Sequence, residues 1–164
     1  MLCRGDLVLI RAIGAHESAH VAAITSTIEE LGGEPVPPPT LKYPDGTFRD
    51  RATFLRTASV FEEVGVTAYQ GQITSITDPE LLIAAAAIGI TESRHAAIIA
   101  LLAGGNPLPA GIERPKDMAT VLAMADPFIK GSARLVSSKT RRSFSPRLRS
   151  LASRHVTRRS SESC

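Results

Sequence analysis

Two short segments, HESAH at residues 16–20 and ESRH at residues 92–95, decide how this sequence is expected to fold. Each contains the pattern Glu-x-x-His. On an α-helix, residues three apart project from the same side, so the carboxylate and the imidazole of each pair converge on one point. Two such pairs on separate helices are typical of a helical bundle that holds two metal ions in its interior. The residues concerned are Glu17, His20, Glu92 and His95.

The first segment also fits a different pattern, His-Glu-x-x-His, which is a zinc-protease signature. In that interpretation His16 and His20 bind zinc, and Glu17 is the general base. The extended form of the signature places a third His six residues after the second one, with a Gly midway. Ser26 and Ala23 occupy those two positions here. The other form takes its third ligand from a Glu on a later helix, so zinc-dependent proteolysis stays open as an alternative.

The composition predicts one all-α domain. The chain has 164 residues, of which 43% are hydrophobic and 4% aromatic, and it contains no Trp. A core built from Ala, Leu, Ile and Val favours helices that pack closely through small side chains. Pro and Gly divide the chain into three long predicted helices and a short one, which cover residues 6–31, 50–73, 79–103 and 115–125.

A bundle of this kind also needs a lone Glu on the helix between the two Glu-x-x-His pairs. The segment FEEVGVTAYQG offers Glu62 and Glu63. Glu62 shares a helical stripe with Gly65 and Tyr69, whereas Glu63 points about 100° away. We therefore predict Glu62 as the ligand. Gly65 is expected to let a neighbouring helix approach, and Tyr69 to donate a hydrogen bond to groups around the ligands.

The composition changes after residue 130. Residues 131–164 hold nine Lys or Arg and one acidic residue, Glu162, among many Ser. We predict a disordered basic tail here and a helical domain over residues 1–130. The tail is interpreted either as a solvated segment or as one that binds nucleic acid or an anionic membrane; no specific nucleic-acid contact is predicted.

No membrane-spanning or cleavable signal segment is predicted. The most apolar run, residues 81–90, is about half as long as a bilayer requires. The N-terminal residues lead directly into the charged motif without a cleavage pattern. The sequence leaves the cellular compartment open.

The sequence resembles ferritin-like domain proteins that are related to plant desiccation-related proteins. The resemblance covers about residues 13–130 and is carried by HESAHVAAITSTIEELGGEPVPPPT, ASVFEEVGVTAYQGQI and DPELLIAAAAIGITESRHAAIIALLAGG. It implies a ferritin-like four-helix bundle that binds two iron ions, or iron and manganese. Related proteins are often exported. The implied ligands are Glu17, His20, Glu62, Glu92 and His95.

The resemblance also implies a missing part. The family pattern begins with a further long helix that carries a lone Glu, and this chain begins inside the helix that follows. We therefore expect an N-terminally truncated bundle with an apolar groove in place of that helix. Such a groove favours a homo-oligomer.

Two functional hypotheses remain beside the zinc-protease alternative. In the first, Glu17 or Glu92 bridges two ions, Glu62 bridges or binds one of them, and iron is oxidised or a small oxidant is reduced. In the second, the protein is a metal-free structural or stress-associated bundle. Its helices would then be joined by pairs of Glu17 with His95 and of Glu92 with His20.

Overall fold

The structure is a computed structural model that describes residues 2–131, and over these residues the chain is all-α. Two short 3₁₀ turns, Ile73–Ser75 and Asp126–Phe128, extend the second and fourth helices. Within this range the β-structure is confined to one isolated bridge between Leu41 and Ile129. The predicted fold class of three long helices and a short one is confirmed. The helices are α1 (Arg4–Glu30), α2 (Arg51–Gln72), α3 (Pro79–Leu102) and α4 (Met118–Ala125).

The basic tail predicted for residues 131–164 lies outside the described residues, apart from Gly131. The four helices belong to one compact unit that ends at Lys130.

Capping side chains set the helix ends that differ from the predicted ones. Helix α1 starts two residues early because Cys3 caps it: the Cys3 Sγ accepts a hydrogen bond from the Asp6 backbone N–H at 3.4 Å. The Asp6 carboxylate accepts one from the Cys3 N–H at 3.1 Å in return. Helix α4 starts at Met118, three residues late, because Asp117 accepts a hydrogen bond from the Thr120 N–H at 2.8 Å.

The three long helices meet in a small apolar cluster. It contains one residue from each helix, Ile13, Leu55 and Ile99, and the last two are 1% exposed. Full burial of such a side chain contributes about 1.5–3 kcal/mol to folding. Helix α2 packs most extensively against α3 and next against α4. The cluster holds α1, α2 and α3 so that their polar faces meet on the same side of it.

An ion pair fixes the ends of the same three helices. The Arg51 Nε donates to the Asp6 carboxylate at 2.9 Å, and its Nη2 donates to the Leu102 carbonyl at 3.0 Å. Arg51 begins α2, Asp6 lies in the first turn of α1, and Leu102 ends α3. The hydrogen bond from Arg51 is the main reason why the pKa of Asp6 falls to about 2. The sequence analysis did not predict this pair.

The proline-rich connection between α1 and α2 is tied to the end of α4. The Lys42 N–H donates to the Phe128 carbonyl at 2.9 Å, and the Lys130 N–H donates to the Thr40 carbonyl, also at 2.9 Å. Beside these bonds the Phe61 and Phe128 rings lie 4.6 Å apart between centroids. The connection is therefore extended, as predicted, but fixed at its middle.

Helices α1 and α3 expose much apolar surface. By length and composition alone each is long and apolar enough to cross a membrane, with a mean hydropathy of 1.3, which the short apolar run in the sequence did not predict. The core helices of soluble bundles can be equally long and apolar, so length and composition do not distinguish a membrane-spanning helix from a bundle helix. The predicted homo-oligomer stays a prediction. Exposed large apolar residues on the two helices are Leu7, Val8, Leu9, Val21, Ile24, Ile83, Ile90 and Leu101.

Candidate metal centre

The three long helices bring the predicted ligands into one group, which we call the Glu/His cluster. Helix α1 contributes two of them, α2 one and α3 two. One carboxylate oxygen from each Glu and one ring nitrogen of His95 lie within 4.8 Å of one another. His20 borders this group, with its Nδ1 2.9 Å from a Glu92 oxygen and 3.6 Å from a Glu17 oxygen. The cluster consists of Glu17, His20, Glu62, Glu92 and His95.

Several cluster atoms are close to one another without being hydrogen-bonded. The His95 Nδ1 lies 3.0 Å from Glu17 Oε1 and 3.4 Å from Glu62 Oε2. At these separations a hydrogen bond also requires the N–H to point at the oxygen, and here the atoms face a common point instead. Among residues 2–131, four buried cluster atoms thus have no hydrogen-bond partner: Glu17 Oε1, His20 Nδ1, Glu62 Oε2 and His95 Nδ1.

Burial is uneven across the cluster. The side chains of Glu62, Glu92 and His95 are 8%, 7% and 3% exposed, whereas that of Glu17 is 45% exposed. Glu17 therefore forms the solvent-facing edge of an otherwise closed site.

The electrostatics of the cluster disfavour its charged forms. Burial, and next the charges of Glu17 and Glu92, raise the pKa of Glu62 to about 8. Burial also raises the pKa of Glu92, and the charge of Glu17 adds to this effect. Burial lowers the pKa of the His95 imidazole. A divalent cation opposes the shifts of Glu62 and Glu92, because it favours ionised carboxylates. It acts in the same direction as burial on His95, because it favours the neutral imidazole.

The comparisons with known proteins agree with this geometry. The sequence profile described as "Ferritin-like domain" matches residues 5–105, which cover nearly all of α1 and the whole of α2 and α3. The chain belongs to the ferritin-like domain family. The comparison with curated proteins returned no match. The predicted ferritin-like bundle is thereby confirmed.

The side chains of the Glu/His cluster have the chemistry that a bound metal ion requires. Three carboxylates and two imidazoles form an oxygen- and nitrogen-rich donor set, which suits iron and manganese. Buried polar atoms normally find a partner, and leaving one without costs about 1–3 kcal/mol. Ligand atoms that converge without hydrogen bonds are what a site for a cation requires.

Gly65 makes room for a carboxylate rather than for a helix backbone. A Cβ at this position would lie 2.7 Å from the Glu92 Oε2 and 3.0 Å from its Cδ. Gly65 was expected to let a neighbouring helix approach, and the part of α3 that approaches it is the Glu92 side chain. The absence of a side chain there lets Glu92 reach across from α3 toward α2.

Tyr69, the other residue predicted to support the ligands, lies close enough to the cluster for its carboxylates to affect the pKa of the hydroxyl. Burial and the charges of Glu92 and Glu17 raise the pKa of its hydroxyl to about 12, so that it stays protonated. Among the described residues the predicted hydrogen bond from Tyr69 is not formed.

Glu63, the neighbour of Glu62, lies outside the cluster. Its carboxylate accepts a hydrogen bond from Lys116 Nζ at 3.0 Å, and its side chain is 48% exposed. The helical periodicity had predicted that Glu62 points toward the ligands and Glu63 away from them. Glu62 faces α1 and α3, while Glu63 holds the segment that precedes α4.

His16 contacts the Glu/His cluster, although the bundle interpretation gave this residue no role. Its Nδ1 lies 2.9 Å from the Nε2 of His95. The zinc-protease interpretation made His16 a metal ligand, whereas its Nδ1 here contacts the second ring nitrogen of His95. The motif places His16 on the same face of α1 as His20, and so near the cluster, but it does not identify His95 as the partner.

Proposed function

We propose that this ferritin-like bundle binds two ions of iron, or of iron and manganese, through Glu17, His20, Glu62, Glu92 and His95. The observation that supports the proposal is the set of buried ligand atoms that converge without hydrogen bonds. Three of the four lie on side chains whose burial disfavours an uncompensated charge. A cation at this point would satisfy all of them at once.

Each side chain has a role that follows from its position. The Glu92 carboxylate, which lies 2.9 Å from the His20 Nδ1, would hold an ion together with His20 and would be the carboxylate shared with the second ion. Glu17, at the exposed edge, exchanges most easily with solvent and admits the ions. When bound, iron supplies electron exchange with a small oxidant such as dioxygen. Tyr69, which is protonated at neutral pH, keeps a neutral hydroxyl beside the carboxylates.

Anaerobic titration tests the proposal directly. Ferrous iron is added to the purified chain, bound iron is counted after gel filtration, and dioxygen is then admitted while the near-ultraviolet absorbance is recorded. We expect two ions per chain and an oxidation-dependent absorbance. Glu62→Gln should abolish binding of at least one ion, because the amide cannot take the place of the carboxylate charge.

Glu63→Gln is the matched control, since it makes the same chemical change one residue away on the exposed side. It should leave stoichiometry and absorbance as in the wild type. Equal effects of both substitutions, or no binding by the wild type, would contradict the proposal.

A metal-free structural bundle is the second candidate, and one observation favours it. The two interhelical pairs that this hypothesis requires, Glu17 with His95 and Glu92 with His20, are both present at 3.0 and 2.9 Å. Substitution of Glu17 separates the two candidates. If the pairs stabilise the bundle, Glu17→Gln lowers the melting temperature. If the cluster is a cation site, the same change relieves repulsion and raises the melting temperature of the metal-free protein.

A further inference from the structure

The contact between His16 and His95 has the geometry of a hydrogen bond in the plane of both rings. The two rings are tilted by only 13°, and their centroids are 5.2 Å apart. That separation is what a nitrogen–nitrogen distance of 2.9 Å gives when two imidazoles meet edge to edge. Because the rings are nearly coplanar, the N–H of one points at the lone pair of the other.

Only one of the two nitrogens in this contact carries the proton, and the choice decides what His95 can do. If His16 donates, the His95 Nε2 accepts, and the proton of neutral His95 resides on Nδ1. If His95 donates from Nε2, its Nδ1 carries a free lone pair. The Nδ1 is the nitrogen that faces Glu17 and Glu62.

We propose that His16 is a positioning residue that accepts the Nε2–H of His95 and thereby holds the Nδ1 lone pair of His95 toward the metal site. The inference rests on the proposed function, since only a bound cation needs that lone pair. The inference extends the proposed function by assigning a task to His16, which lies outside the ligand set. Ligand imidazoles commonly donate their second N–H to a partner that fixes the ring and its tautomer.

The position of His16 suits this task. It precedes the ligand Glu17 by one residue and lies on an exposed part of α1, whereas His95 is 2% exposed. Helix α1 thus contacts both nitrogens of the His95 ring: Glu17 approaches Nδ1 and His16 approaches Nε2. Rotation of the His95 ring would break both contacts, so the pair fixes its orientation as well as its tautomer.

The test uses the full chain, with cobalt(II) as the metal probe, and two substitutions at one site. His16→Leu removes the acceptor, whereas His16→Asn offers its Oδ1 at the position of the His16 Nδ1. We expect His16→Leu to weaken cobalt binding about 10- to 100-fold and His16→Asn to restore most of the affinity. Ser18→Leu, an equally apolar change at an exposed residue of α1, is the control and should bind as the wild type does.

Imidazole ¹⁵N spectra of the metal-free protein supply the second measurement. The wild type should show His95 with its proton on Nε2, and His16→Leu should show a mixture of both tautomers. A wild-type His95 protonated on Nδ1 would overturn the inference, as would equal losses of cobalt affinity in the Leu and Asn variants. Failure of the wild type to bind cobalt would instead contradict the proposed function, while the spectra would still decide the role of His16.

Discussion

The three long helices are joined at two polar places that have opposite electrostatics. At the Asp6–Arg51 ion pair, each acceptor has a donor, and the pKa of Asp6 falls to about 2. In the Glu/His cluster, carboxylates lie next to one another and next to imidazole nitrogens that have no hydrogen-bond partner, and the pKa of Glu62 rises to about 8. Both places connect α1, α2 and α3. The first has its hydrogen-bond partners within the protein, whereas the second has buried polar atoms without partners, which the proposed cation would satisfy.

The largest effect should come from supplying that cation. A ligand that binds only the folded state at a hundred times its Kd stabilises it by about 2.7 kcal/mol. Adding cobalt(II) or ferrous iron should therefore raise the melting temperature of the wild type by several degrees. Differential scanning calorimetry with and without metal measures this shift. His95→Ala should show no shift, and a shift as large as that of the wild type would place the ions elsewhere.

The pH dependence of stability should distinguish the two places next. Because the pKa of Glu62 is raised from 4.5 to about 8 on folding, the folded protein binds more protons than the unfolded chain between these values. The free energy of unfolding should fall as pH rises through that window, by up to about 1.4 kcal/mol per pH unit for one such group.

The upper end of this window, from about one pH unit above the ordinary His pKa of 6.5, shows the effect most clearly. There the lowered pKa of His95 contributes little, since His95 is mostly neutral in both states, and Asp6 is ionised in both states. The raised pKa of Glu92 acts in the same direction as that of Glu62. Urea unfolding of the metal-free protein at several pH values measures the slope. Glu62→Gln should reduce the slope, and a stability that rises with pH at this end of the window would contradict the assignment.

Sequence alone predicted the helices because Pro and Gly mark their ends, and it predicted the cluster because the Glu-x-x-His spacing is local. The helix starts at Arg4 and Met118 were missed because they depend on the caps Cys3 and Asp117. Contacts between distant residues were missed for a different reason: nothing in the spacing of His16 and His95 indicates that they meet, and the same holds for Asp6 and Arg51. Such pairs depend on helix rotation, which packing decides.

A smaller effect is expected when the Asp6–Arg51 ion pair is broken. Arg51→Met keeps most of the aliphatic stem but leaves the Asp6 carboxylate and the Leu102 carbonyl without their donor. The melting temperature should fall by a few degrees while metal stoichiometry stays unchanged. Lys116→Met, which breaks the exposed pair with Glu63, is the control and should change little. Loss of metal binding in Arg51→Met would show that the two places are coupled.

The smallest effects are expected at two glycines. Gly14→Ala meets nothing within 4 Å and should stabilise α1 by about 0.5–1 kcal/mol, since Ala is the better helix former. Gly65→Ala brings the same gain in propensity but places its Cβ against the Glu92 carboxylate. It should therefore stabilise less and weaken cobalt binding about tenfold. Equal affinities in the two variants would show that Glu92 has room to move.

The bonds between the proline-rich connection and the end of α4 bear on the order of folding. Thr40 and Lys42 pair with residues that follow α4, so that the chain between them, including α2 and α3, forms one closed loop. Closing so long a loop costs entropy that two hydrogen bonds do not offset before the helices inside it have assembled. We therefore expect the helices to pair first and the two hydrogen bonds between the connection and the end of α4 to form last.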